Sequence, residues 1–401
     1  MLKTKIFILM KLNKTLKIIF LISAFCCFTF CSVKEKREPV PSIAKHGSIY
    51  KEQLKILFSH NFNVEYLDSG KIVNVYSPDK NHDLIYQYLI LPKGASIPEG
   101  FEHAQIIRIP VSSVAVFTSI YVSFLDKLDL LGKLVAVDNF RYINNNKVRE
   151  MIDRNKISEI GDATSPNIEK IFALNPDLLF TYGVGNPNVD SHEKLIKNGI
   201  HIASSTVQLE NSPLARAEWI KFIALFFDKE KEANEIFNGL VERYNKLSEL
   251  TKKETYRPTV FTEALFGGIW YEPGGQSYVA KLLSDAGSDY IWKDDPSAAS
   301  IKLNYEQVFE KANDADYWIN VHFWKNMRDA SKNDSRNSKF KAFRTGNIYN
   351  NNALVNQSGF LDYWESGAIN CDLVLSDLIK IFHPDLLPGY KLTYYKKLED
   401  N

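Results

Sequence analysis

The sequence predicts an α/β protein: two Rossmann-like α/β lobes joined by one long rigid helix, with a small N-terminal antiparallel β meander in front. Three observations carry this expectation. From residue 105 onward, strand-like and helix-like segments alternate, which implies parallel sheets covered by helices. The stretch 229–253 keeps one apolar stripe through Ala233, Ile236, Phe237, Leu240, Tyr244 and Leu247. After Pro258 the strand–helix alternation restarts. A chain of 401 residues with 45% hydrophobic content has the material for two cores.

The elements follow in chain order. Residues 1–30 carry five lysines and no acid, while the remainder holds 44 basic against 48 acidic residues, so the N-terminus is a separate object. Lys11, Lys14 and Lys17 precede a 13-residue apolar run, 18–30, too short to span a bilayer and suited to a signal peptide. Met10 stands just before this basic cluster and is an alternative start. Cys31 closes the run and a charged segment follows, as in a bacterial lipoprotein signal whose cysteine is acylated. The box Phe28-Thr29-Phe30-Cys31 departs from that pattern, which places a small residue before the cysteine. Ordinary cleavage and an uncleaved anchor are the alternatives. Polar residues 31–48, with Pro39 and Pro41, read as a tether.

Residues 49–104 form the β extension, with alternating strands at 63–66, 72–76 and 85–90. The N-terminal lobe, 105–228, reads as strand 106–111, helix 114–131, strand 134–137, a helix opened by Ser165-Pro166-Asn167 and running to 174, strand 177–182, helix 192–198, strand 200–203 and helix 213–227. The inter-lobe helix occupies 229–256, and the C-terminal lobe 257–401. That lobe reads as strand 259–263, helix 277–286, strand 317–321, strand 347–349 and final helix 371–382. Cys371 is the only cysteine after the signal region, so an internal disulfide is excluded there and the lone thiol reads as a packing residue.

Two segments share a shape, one per lobe: 166–179 and 303–317. Each has a polar start, an acid in the first helical turn (Glu169, Glu306), a short amphipathic helix and an acid before a strand. Taken alone, these glutamates read as complements to the helix dipole. A second constellation is aromatic. Tyr142, Tyr182, Trp270, Tyr271 and Trp364 fall at expected strand ends or in loops after strands, where open α/β sheets bind ligands. Arg141, beside Tyr142, is placed to meet an anionic ligand. Each aromatic also has a plain reading as a packing residue.

With these motifs in place, residues 105–390 resemble the class III, helical-backbone substrate-binding lipoproteins of ABC importers for ferric siderophores, heme and vitamin B12. The local signatures are 168–178, 270–278 and 356–367, the last two resembling iron-transport binding proteins. The resemblance implies that Glu169 and Glu306 dock on arginines of the membrane permease. It also implies a metal chelate as ligand, a permease with its ATPase as partners, and a periplasmic or cell-surface location on a bacterial membrane. No catalytic role and no resident cofactor or metal follow from it. A net charge of +1 gives a nucleic-acid binder no electrostatic support. The eight histidines show no metal-site spacing, and His322, after a C-lobe strand, reads as a loop histidine within reach of a cleft. Gly274-Gly275 before a helix could cradle an anion, without a Walker lysine behind it. Walker and G-x-S-x-G motifs are absent, which weighs against the rival reading, an exported chelatase-like α/β enzyme.

Overall fold

The computed structural model describes residues 50, 52–78, 81–101, 104–183 and 192–400. The expected signal peptide, Cys31 and the tether lie outside the described residues. Four strands open the fold: β1 (Phe62–Tyr66), β2 (Lys71–Tyr76), β3 (Leu84–Pro92) and β4 (Gln105–Ile109), in the order β1-β2-β3-β4. The first three are antiparallel, as a meander requires, but β4 returns parallel to β3. Residues 105–109 therefore belong to the extension and not to the N-terminal lobe. Alternating burial at Ile107 and Ile109 fits either sheet, and period alone cannot say which sheet a strand joins.

The N-terminal lobe runs β5 (Val114–Val116), α1 (Ile120–Lys127), β6 (Leu134–Val137), α2 (Asn146–Asp153), β7 (Ser158–Glu159), α3 (Ile168–Leu174), β8 (Leu178–Tyr182), α4 (Glu193–Lys197) and β9 (Ile202–Ser205). Its sheet is parallel, in the order β7-β6-β5-β8-β9. The expected helix 114–131 divides into a strand and a helix. Val114-Ala115-Val116 is buried on both faces, so its apolar run carries no alternation to distinguish it from a buried helix.

Two helices follow, α5 (Pro213–Ala224) and α6 (Glu230–Lys252). The C-terminal lobe comprises β10 (Thr259–Thr262), β11 (Trp270–Pro273), α7 (Tyr278–Asp285), β12 (Asp289–Tyr290), β13 (Ser300–Leu303), α8 (Tyr305–Ala312), β14 (Tyr317–Ile319), α9 (Met327–Asn333), α10 (Lys341–Arg344), β15 (Ile348–Asn350), α11 (Cys371–Phe382) and β16 (Lys396–Lys397). Its main sheet is ordered β12-β10-β14-β15-β16, with only β16 antiparallel, while β11 and β13 form a separate ribbon. At 23 residues α6 is roughly 35 Å long. It packs on α5 of the N-terminal half and α11 of the C-terminal lobe, so it braces both. Among the described residues, no helix is long and apolar enough to cross a membrane.

Helix α5 is the centre of the N-terminal half. Ser212 caps it by accepting from Ala215 N–H, and Pro213 takes its first turn. Ten of its remaining eleven residues are buried, Arg216 being the exception, because sheets lie on two sides of it. Phe62 of the extension meets Trp219 at 4.5 Å, and Phe180 of the lobe sheet packs edge-on to Phe222 at 6.5 Å. Two charges are buried with it. The Glu218 carboxylate accepts N–H bonds from Leu57, Phe58 and Ser59 at 2.7–2.9 Å and pairs with Lys221 at 2.8 Å. Lys221 also donates to the Lys55 carbonyl. At the α5–α6 junction, buried Lys71 of β2 sits between Asp228 at 2.9 Å and Glu230 at 2.5 Å. The extension is thus bolted to the lobe by charge as well as by rings.

Replacing Glu218 leaves a buried lysine and three main-chain N–H groups without their acceptor. Glu218→Ala is expected to destabilise the protein by about 3–5 kcal/mol. Urea unfolding monitored by tryptophan fluorescence measures this, and limited proteolysis should cut first between residues 52 and 61. An unchanged midpoint with no new cleavage contradicts this account of the attachment.

Candidate ligand-binding cleft

Both parallel sheets place their strand order reversals beside a central strand, β5 in one lobe and β10 in the other. Ligands bind outside the carboxyl ends of strands at such points. A cleft of about 840 Å³ lies there, lined from the N-terminal half by Gln208, Glu210 and Arg216, and from the C-terminal lobe by Glu263, Asn320, His322 and Trp364. A second chamber of about 360 Å³ shares Gln208, Arg216, Tyr278, Tyr363 and Trp364 with it and adds Tyr182.

Arg216 is the cation of this cleft. The first half of α5 carries it to the wall, where its guanidinium lies over the Tyr278 ring at 3.9 Å. It donates to the carbonyls of Gln208 at 2.8 Å and Glu210 at 3.3 Å. Neither acceptor is a carboxylate, so its charge is held in place without being neutralised at contact distance. Burial pulls the guanidinium below its ordinary value, and the neighbouring Tyr278, Tyr363 and Glu210 oppose that shift. Such a group favours an anion arriving in the cleft. The Glu210 carboxylate accepts at Oε1 from Ser59 Oγ and Trp219 Nε1 and acts on Arg216 without touching it.

The opposite wall is strained. Glu263 follows β10, Asn320 and His322 follow β14, and all three have left-handed backbones, with φ of 63°, 57° and 53°. Conformations of this kind cost non-glycine residues on the order of 1–3 kcal/mol each and cluster at functional sites. The cost is met by a polar scaffold. Asn350 Nδ2 donates to the carbonyls of His322 and Trp324, both at 2.9 Å, and Asn320 Oδ1 accepts from Tyr395 at 2.8 Å. His322 Nε2 lies 3.2 Å from Glu263 Oε2 without hydrogen-bond geometry. Burial pushes Glu263 up to about 8 and His322 down, which is opposite to what an ion pair would do. Desolvation outweighs mutual attraction here, and burial favours the uncharged form of both groups.

The structure sorts the residues expected from sequence. Tyr182 and Trp364 line the cleft, Trp364 as an exposed ring set edge-on to Tyr363 at 5.0 Å. Trp270 does not: it is fully buried, donates to the Thr262 carbonyl at 2.9 Å and stacks on Trp318 at 5.7 Å. It stands on strand β11, not in a loop, and aromatic content cannot distinguish a core ring from a binding ring. Tyr271, next on the ribbon and paired with Lys302, also lies outside the cleft lining. Arg141 and Tyr142 belong to a seam between the lobes. Tyr142 packs on Phe360 at 4.9 Å, and Asn356 Nδ2 donates to the carbonyls of Arg141 and Ile143. Beside them, Glu365 accepts N–H bonds from Asn144 and Asn145 at 2.5 and 2.9 Å. Gly274 and Gly275 serve close packing: a Cβ at either would collide with the carbonyls of Ser297 or Lys293. Arg216 was missed because it sits within a helical apolar run, where a charge reads as a solvent-facing residue. His322, a loop histidine within reach of a cleft by sequence, lines the cleft.

Glu169 and Glu306 are both exposed, in the first turns of α3 and α8. Neither caps its helix. Asn167 and Asn304 do that, accepting from Lys170 N–H and Gln307 N–H. Glu306 reaches Arg336 at 2.8 Å. Among the described residues, no group of three or more His, Cys, Asp or Glu is arranged to hold a metal ion.

Comparison with known proteins follows the same outline. The family described as periplasmic binding protein matches residues 114–353. An uncharacterized lipoprotein of Methanocaldococcus jannaschii is 28% identical over 374 residues, covering 86% of this chain and 87% of its own. Among solved structures, a possible iron-binding periplasmic solute-binding protein of Staphylococcus epidermidis superposes with a TM-score of 0.53 at 16% identity, over 68% of this chain and 98% of its own. CeuE of Helicobacter pylori with Ni(II) bound gives 0.55 at 18% identity, over 72% and 88%.

The neutral state of Glu263 has a pH signature. Its folded value of about 8 lies above the ordinary 4.5, so between these values the folded chain holds a proton that the unfolded chain releases. The stability it contributes is complete below about pH 4.5 and is lost as pH rises through 8. Glu263→Gln keeps the neutral form, so its Tm is expected to match wild type near pH 5 and to exceed it near pH 8.5, by roughly 2–4 °C per kcal/mol recovered. Equal shifts at both pH values contradict the assignment.

Proposed function

The chain belongs to the periplasmic binding protein family, and from that premise we propose that it is the extracytoplasmic solute receptor of an ABC importer, capturing an anionic metal chelate of the ferric-siderophore type. The observation that carries the reading is the cleft itself: two adjoining chambers at the carboxyl ends of both sheets that share a guanidinium no carboxylate touches and the exposed Trp364 ring. Carboxylates or catecholates of a chelate would meet Arg216, and its flat apolar faces would meet Trp364 and Tyr182. Heme and corrinoids present similar faces and are the second reading. Acylated Cys31 would hold the receptor at the outer side of a cell membrane, in line with the lipoprotein designation of its relative. A brace as long as α6, packed on both halves, favours small closure and specificity from a largely preformed cleft.

Titration of intrinsic tryptophan fluorescence with a ferric tris-catecholate, hemin and cyanocobalamin tests the reading. The chelate that binds wild type is expected to bind Trp364→Ala about tenfold more weakly and Arg216→Ala roughly 10- to 100-fold more weakly. Trp270→Ala should unfold more readily instead, as a fully buried ring does. No binding of any of the three by wild type overturns the proposal.

Delivery requires docking on a two-fold permease, for which one exposed acid per lobe is suited. Glu169→Lys combined with Glu306→Lys is expected to abolish uptake in cells while leaving chelate affinity within about twofold, because both side chains stand outside the cleft lining. Normal uptake by the double variant removes these acids from the interface.

A further inference from the structure

We infer that the N-terminal sheet is a third wall of the ligand cleft, and that His60 and His82 on it contact the bound chelate. This inference rests on the receptor reading and adds a specificity element to it. The family match begins at residue 114, after the whole β1–β4 sheet, so the wall is an addition to the two-lobe unit. His60, Asn61, Pro78 and His82 nonetheless line the same cavity as Arg216 and His322.

Their placement is fixed rather than incidental. His60 is exposed, but its neighbours Ser59 and Asn61 are buried. Ser59 donates its N–H to Glu218 and its hydroxyl to Glu210, and the Asn61 carbonyl accepts from Tyr76 N–H at 2.7 Å. The imidazole therefore projects from a backbone clamped on both sides. His82 lies flat on the Tyr76 ring, with centroids 4.5 Å apart and planes 16° apart, and the Tyr76 hydroxyl accepts from Asn63 at 3.0 Å. Two pre-oriented imidazoles cost little ordering entropy on binding. Neither contributes to the core that fastens the sheet, which runs through Phe62, Tyr88 and α5. The exposed imidazoles of His60 and His82 bring ring N–H groups and ring faces to this end of the cleft, which suits the acidic oxygens at the edge of a chelate.

The test is His60→Ala combined with His82→Ala, titrated with the same ferric tris-catecholate, hemin and cyanocobalamin. The chelate that binds wild type is expected to bind the double variant roughly five- to tenfold more weakly, on the scale of one hydrogen bond, with Tm unchanged. Hydrogen exchange of wild type should show that chelate protecting backbone amides within 57–62 as well as those following β10 and β14. If the double variant keeps full affinity and 57–62 gains no protection, while Arg216→Ala still weakens binding, the third wall is overturned and the receptor reading stands. If wild type binds none of the three chelates, the receptor reading fails and the inference fails with it.

Discussion

The buried carboxylate of Glu218 is the constraint on which the arrangement turns. It lies in the middle of α5, a helix with packed neighbours on almost every side, where an unpaired charge would be intolerable. Its partners come from elsewhere: three successive N–H groups of residues 57–59 and the Lys221 ammonium. Satisfying it brings the chain before β1 onto α5, and with that chain comes the extension sheet. The sheet in turn covers the edge of β9, where the Tyr88 hydroxyl takes the Ser204 N–H at 2.7 Å and Gln105 bonds the Ile202 carbonyl. Two residues before Glu218, the same helix delivers Arg216 to the cleft. One element therefore holds the extension, the lobe and the ligand site in a fixed relation.

Rigidity of that kind suits a receptor whose lobes share a brace. With α6 packed on both halves, the cleft is shaped before a ligand arrives, and affinity depends on groups already in place. The C-terminal wall shows the cost. Three left-handed residues and a buried carboxyl kept neutral are each unfavourable in isolation, and each is tolerated because Asn350, Tyr395 and the surrounding strands overdetermine the loop. On the other wall, Arg216 keeps its charge by stacking on Tyr278 and bonding main-chain oxygens, leaving it unneutralised for a ligand. The cleft thus stores unfavourable backbone and electrostatic states where a bound anion would use them.

Much of this was legible in the sequence because local physics wrote it there. The apolar stripe of 229–253 specified α6, which ends at Lys252, four residues short of the 229–256 assigned to the inter-lobe helix, since a period of 3.6 over six turns marks the helix but not where its last turn stops. The polar-start segments at 166–179 and 303–317 gave α3 and α8, and both helices carry the asparagine caps that make such starts readable. The positions of Tyr182 and Trp364 along the cleft were legible because strand ends and long loops after strands border α/β clefts.

Tertiary structure alone decided the rest, for reasons that are also physical. Residues 105–109 read as a strand whichever sheet they join, and 114–116 read as helix because an apolar run buried on both faces carries no alternation; only partner choice put the first in the extension and made the second the central strand of the lobe. Trp270 and Trp364 are chemically identical, and whether a ring is enclosed by Phe261 and Trp318 or left at a cleft is a property of the assembled packing. Arg216 looks like any helix-surface cation until α5 is seen to be buried and its side chain to emerge into a cavity. The sequence by itself determined the periodic elements and their class, because those depend on neighbours within a few residues. Which polar groups share one cavity depends on contacts across more than a hundred residues, and that only the folded chain decides.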